Sequence, residues 1–101
     1  MNKNPTGLSP KTISALKGIF SQYNEVKKVI LYGSRAKGNY REGSDIDLSL
    51  IAPKLKISDL SKIENKIEDL NLPYKVDLSL HHQIENEDLL EHIARVGIEF
   101  S

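Results

Sequence analysis

The 101-residue sequence contains no cysteine, which excludes disulfides and thiolate metal sites. It has no excess of either charge: fourteen basic residues balance fourteen acidic ones. Broad nucleic-acid binding needs a phosphate-neutralising basic surface, so direct nucleic-acid binding is not expected. A chain near neutrality is also poorly protected against self-association, which favours a protein partner. Long hydrophobic runs are missing too. No stretch approaches the ~20 apolar residues of a membrane-spanning helix, and Met1-Asn2-Lys3-Asn4-Pro5 lacks the apolar segment of a signal peptide. No membrane attachment and a cytoplasmic location are the expectation. Low-complexity tracts and linkers are likewise absent. With 39% hydrophobic and 28% charged residues, the profile is that of one globular domain built on a single core.

Within it, residues 1–8 read as a flexible leader, broken by Pro5 and Gly7, and residues 9–101 as the domain. Ser9-Pro10 is a helix start, with Ser as N-cap and Pro in the first turn. Ile13, Leu16, Phe20 and Tyr23 then recur at helical spacing, which predicts a helix over 10–23. The β-branched run 26–32 predicts a first strand, followed by a short helix at 34–37 and a loop at 38–44. A second strand over 45–51 ends at Pro53. Ser58 is read as the cap of a helix carrying Leu60, Ile63, Ile67 and Leu70, stopped by Asn71 and Pro73. A third strand is expected over 74–80. Asn86 would cap a last helix burying Leu89, Leu90 and Ile93, and Gly97-Ile98-Glu99-Phe100 suits a terminal edge strand. The fold class is α/β (α+β): a mixed sheet of three to four strands flanked by helices.

The chemistry gathers between the first two strands. Gly33-Ser34 closes the first, ten residues intervene, and Asp45-Ile46-Asp47 opens the second. Alternate strand residues share a face, so Asp45 and Asp47 point the same way, roughly 6–7 Å apart. Two carboxylates so placed repel unless a cation lies between them. Magnesium suits the pair, being a hard ion that one or two carboxylates hold together with substrate phosphates. Two such ions about 4 Å apart can clamp an in-line displacement at phosphorus. Gly33 allows close backbone approach, and the N–H groups of the following short helix would face an anion. If the second and third strands are neighbours, Asp77 joins the same face and completes a three-carboxylate cluster. A P-loop is excluded: Gly33 and Gly38 have its spacing, but Asn39-Tyr40 stands where Lys-Ser/Thr is required.

These segments resemble a family. Gly33-Ser34-Arg35-Ala36-Lys37-Gly38 and Ser44-Asp45-Ile46-Asp47-Leu48 are similar to the signature of the polymerase-beta-like nucleotidyltransferases, in particular their smallest branch, the minimal nucleotidyltransferases. Asp77 stands where that family carries its third carboxylate. The resemblance covers nearly the whole chain. It implies the polymerase-beta-like core, Asp45, Asp47 and Asp77 as catalytic residues and ligands of two Mg2+ ions, and ATP as donor. Gly33 and Ser34 would cradle the triphosphate, with Arg35, Lys37 and Ser44 as further nucleotide contacts. Larger relatives carry a further domain that shapes the acceptor pocket. The minimal branch instead implies a separately encoded HEPN-domain protein, a toxin whose tyrosine some members modify with AMP. The alternatives are a non-catalytic antitoxin that occludes its HEPN partner, and a small-molecule nucleotidyltransferase acting as a two-protein complex.

Other residues have plainer readings. Arg35 and Lys37 suit surface salt bridges nearly as well as phosphate, and Ser34 could combine an N-cap with a phosphate contact. His81 and His82 are read as loop surface, His92 as a surface or boundary residue, and Tyr32 as packing against the loop. The role of Arg41 stays open.

Overall fold

The computed structural model describes residues 6–100. Four helices and four strands follow in the order α1 (Pro10–Phe20), β1 (Lys28–Tyr32), α2 (Gly33–Lys37), β2 (Ile46–Ile51), α3 (Ile57–Glu68), β3 (Val76–Leu80), α4 (Glu87–Val96) and β4 (Ile98–Glu99), with one 3-10 turn at His81–Gln83. The sheet order is β3-β2-β1-β4. β1 lies antiparallel to both β2 and β4, whereas β2 and β3 are parallel, joined through α3. This is a mixed four-stranded sheet flanked by helices, as the polar–apolar alternation predicts.

Two caps form as read. The Ser9 hydroxyl accepts from the Thr12 N–H at 3.1 Å with Pro10 in the first turn of α1. Asn86 accepts from the Leu89 N–H at 3.1 Å and starts α4, whose first turn carries Glu87 and Asp88. Such a cap contributes about 1 kcal/mol, and acidic residues there complement the helix dipole. Two other caps differ from expectation. α3 begins one residue before Ser58, behind Lys56, and α2 begins at Gly33 behind Tyr32, neither with a side-chain cap. Ser34 therefore lies inside the first turn of α2 and does not cap it. α1 ends at Phe20, earlier than predicted, because tight turns at Tyr23 and Val26 lead the chain into β1.

Alternation splits the sheet into two faces. Val29 and Leu31, Ile46, Leu48 and Leu50, and Leu80 face α1 and α3, where they pack with Leu16, Ile19, Phe20, Ile63 and Ile67 in the main core. Burying each large aliphatic side chain contributes about 1.5–3 kcal/mol. On the other face lie Ile30 and Tyr32, Asp47 and Ser49, and Asp77 and Ser79. α4 covers the β1 side of that face, with Ile93 buried beneath it. The other side, over β2 and β3, carries the carboxylates.

The expected leader covers residues 1–8. Residues 1–5 of it lie outside the described residues, but Thr6 and Leu8 are buried and Leu8 belongs to the main core. Among the described residues, no helix is long and apolar enough to cross a membrane.

Candidate active site

The parallel pairing of β2 with β3 sets Asp47 directly beside Asp77, and Ser49 beside Ser79. Neighbouring strands lie about 4.8 Å apart, so these two carboxylates share one face at close range. Asp45 sits one residue ahead of β2, exposed, where the 38–44 loop enters the sheet. Burial, then the charge of Asp77 and then that of Asp45 raise the Asp47 carboxyl above the usual carboxylate range, and His92 opposes the shift. Asp47 thus feels the charge of both other acids.

Gly33 completes one wall. Its φ is +75°, a left-handed conformation that glycine adopts without strain. A Cβ there would collide with Oδ2 of Asp47. The missing side chain lets the β1–α2 junction lie directly against the carboxylate. Across the antiparallel pair, Tyr32 faces Asp47. Burial pushes its phenol up; a hydrogen bond with the Ser79 hydroxyl opposes this, and the charges of Asp47 and Asp77 add to it. The hydroxyls of Ser79 and Ser49 also share a hydrogen bond, Oγ to Oγ at 3.2 Å, which satisfies the fully buried Ser49. Tyr32 therefore does more than pack against the loop: it joins a polar floor under the acids.

His92, expected at the surface or the boundary, is half-buried and has a more specific place. The Gly33 N–H donates to His92 Nε2 at 3.2 Å, and the imidazole stands edge-on to the Tyr32 ring with centroids 6.2 Å apart. Helical spacing placed His92 at the edge of the buried face of α4. Only the packing of α4 on β1 and α2 brings it to Gly33.

The remaining nucleotide contacts divide. Ser34 is half-buried beside Gly33, and Lys37 is exposed in the last turn of α2. The Ser44 hydroxyl accepts the Arg41 N–H at 2.8 Å and closes the turn before Asp45. Arg35 departs from the surface position expected for a phosphate contact. It is only 2% exposed, and its guanidinium donates to backbone carbonyls and lies over two tyrosine rings. His81 and His82 lie in the 3-10 turn after β3, half-buried and exposed respectively.

Among the described residues, no three His, Cys, Asp or Glu side chains close around a single point where an ion would sit. The donor chemistry nevertheless suits magnesium. Asp47 and Asp77 offer only oxygen, lie side by side, and carry repulsion that a cation would relieve. Such an ion takes most of its remaining ligands from water and substrate phosphates. A separate cleft of about 620 Å3 lies between α3 and the outer edge of β3, lined by Ile67, Leu72, Tyr74, Val76 and Leu78 among others. It opens on the face opposite the acids, because Val76 and Leu78 alternate with Asp77.

Residues 14–100 match the family model described as "Polymerase beta, Nucleotidyltransferase". No curated protein is significantly similar in sequence. Among solved structures, the chain resembles a toxin–antitoxin complex with AMP-PNP, at TM-score 0.70 and 20% identity over 93% of this chain and 73% of that one. It also resembles the toxin–antitoxin MntA-HepT, at TM-score 0.68 and 15% identity over 92% and 72%. At such identities these likenesses speak for the fold, and the family match extends over most of the chain. With its glycine junction set against paired strand carboxylates, the chain belongs to the polymerase beta nucleotidyltransferase family.

Proposed function

We propose that this protein transfers AMP from ATP to a hydroxyl acceptor, a tyrosine of a HEPN-domain toxin, and so acts as an antitoxin. The observation that carries the reading is the register pairing of Asp47 with Asp77 beside the Cβ-free Gly33 junction. Support for the setting comes from the structural likeness to toxin–antitoxin complexes, one of them with AMP-PNP.

Asp45, Asp47 and Asp77 would hold two magnesium ions, which when bound neutralise the triphosphate and stabilise charge developing at the α-phosphate. Gly33 and Ser34, the first two residues of α2, would line the triphosphate side. Phosphate entering there would take the Gly33 N–H in place of His92 Nε2. The acceptor oxygen attacks the α-phosphorus and forms the new P–O bond. The bond from that phosphorus to the bridging oxygen breaks, its electron pair leaves with pyrophosphate, and the acceptor proton passes to Asp77. Positioning and charge neutralisation supply most of the rate. Lys37, exposed at the end of α2, is free to approach phosphate from solvent.

The test is an intact-mass measurement of the protein with its HEPN partner, before and after Mg-ATP. The expected result is a partner heavier by one or more AMP units, with no gain when Asp47→Asn replaces the wild type. A tight complex whose mass stays unchanged would overturn the catalytic reading in favour of occlusion. AMP found on an added small molecule would move the acceptor.

A further inference from the structure

Arg35 follows the glycine junction by two residues, yet it faces away from solvent. Its Nε and Nη2 both donate to the carbonyl oxygen of Ser44, at 3.1 and 2.9 Å, and Nη1 donates to the carbonyl of Thr6 at 2.8 Å. Its Cζ lies over two rings, 5.0 Å from the centroid of Tyr40 and 4.6 Å from that of Tyr74. Gly7, at φ +73°, leaves room for Tyr40; a Cβ there would meet the ring. Each of the three guanidinium nitrogens thus donates to a backbone carbonyl, and among the described residues no buried side-chain nitrogen or oxygen lacks a partner.

Two of the segments this side chain touches carry the carboxylates. Ser44 immediately precedes Asp45. Tyr74 lies three residues before Asp77, and the Lys75 carbonyl next to it accepts the Ile46 N–H at 2.9 Å. The geometry points to Arg35 as a positioning residue: its buried guanidinium fixes the Ser44 carbonyl and, through it, sets the Asp45 carboxylate at the entry of β2. This rests on the reading of Asp45 as a metal ligand. A phosphate contact by the same side chain would require breaking three hydrogen bonds and leaving two rings. Lysine cannot replace it, because one ammonium cannot present a planar fork to the Ser44 carbonyl while also donating to Thr6 and stacking on the rings.

The test compares wild type, Arg35→Lys, Tyr74→Leu and Asp45→Asn by amide hydrogen exchange and by Mn2+ binding followed through the free-ion EPR signal. In Arg35→Lys the amides of Ser44 and Ile46 should exchange roughly fivefold faster or more, as for the loss of one net hydrogen bond, while those of Leu31 and Leu48 keep their protection. Mn2+ should bind about tenfold more weakly, as when a group orienting a ligand is lost. Tyr74→Leu removes one ring and keeps the hydrogen-bonding groups; it should show both changes in smaller degree, and it decides the matter if Arg35→Lys does not fold. Unchanged exchange at 44–46, or acceleration shared equally by every amide, overturns the proposal. So does a raised KM for nucleotide with exchange and Mn2+ binding intact, since that marks a phosphate contact. If wild type and Asp45→Asn bind Mn2+ alike, the metal reading of Asp45 fails, and the exchange at 44–46 still decides the role of Arg35.

Discussion

Replacing Asp47 by Asn should stabilise the protein while removing its activity. Asp47 is half-buried, in register with Asp77 on one side and two residues from Asp45. Its carboxyl is raised, first by burial and then by these two charges. A group whose folded pKa lies above its unfolded value adds stability below the unfolded pKa, about 3.9 for Asp, and loses it as pH rises through the folded value. At pH 7 ionised Asp47 is therefore a cost. A like-charged cross-strand pair is unfavourable by up to about 1 kcal/mol, and partial exposure screens it. Asp47→Asn should then gain about 0.5–1 kcal/mol, which for a chain of this size is a rise of roughly 3–6 °C in Tm. Thermal unfolding followed by circular dichroism at pH 7 and pH 3 measures it. The gain should shrink at pH 3, where Asp47 is protonated in both states. Added Mg2+ should raise the Tm of the wild type more than that of the variant. A lower Tm for Asp47→Asn at pH 7, or an equal gain at both pH values, would refute the reasoning.

Two further substitutions probe the walls of the site. Gly33→Ala places a methyl group on Asp47 Oδ2 in a left-handed backbone conformation, so it should cost about 1–2 kcal/mol in urea unfolding and abolish the proposed AMP transfer. A stable, active variant would mean that the junction does not need its close approach. His92→Ala leaves the Gly33 N–H without its partner. It should destabilise the free protein by about 1 kcal/mol, and bound nucleotide should make up part of that loss by occupying the N–H. Equal destabilisation with and without Mg-ATP, read from Tm shifts, would separate His92 from the phosphate side.

Much of the site could be read from residue order because its parts obey local rules. Asp47 and Asp77 share a face through strand alternation, and Ser9 and Asn86 cap their helices through short-range hydrogen bonds. Ser58 and Ser34 show where local reasoning overreached. Each is a good capping residue, but the flanking chain enters the helix one or two residues earlier. Arg35 departs from expectation for a different reason. A cation two residues after a phosphate-type glycine is expected to seek phosphate, and only the convergence of Tyr40, Tyr74, Ser44 and Thr6 turns it inward.

What the sequence by itself determined is the set of chemical groups and the order in which secondary structure presents them: glycine junction, loop, paired acids, crossover helix, third acid. Alternation with period two and helical spacing near 3.6 are properties of neighbouring residues, so they survive without any knowledge of the fold. Tertiary structure decided which of these groups meet. The parallel register of β2 and β3 sets Asp47 beside Asp77, the passage of α4 over β1 brings His92 to Gly33, and the gathering of three segments buries Arg35. Such contacts join residues far apart in the chain, and the packing of helices and strands around a shared core selects them.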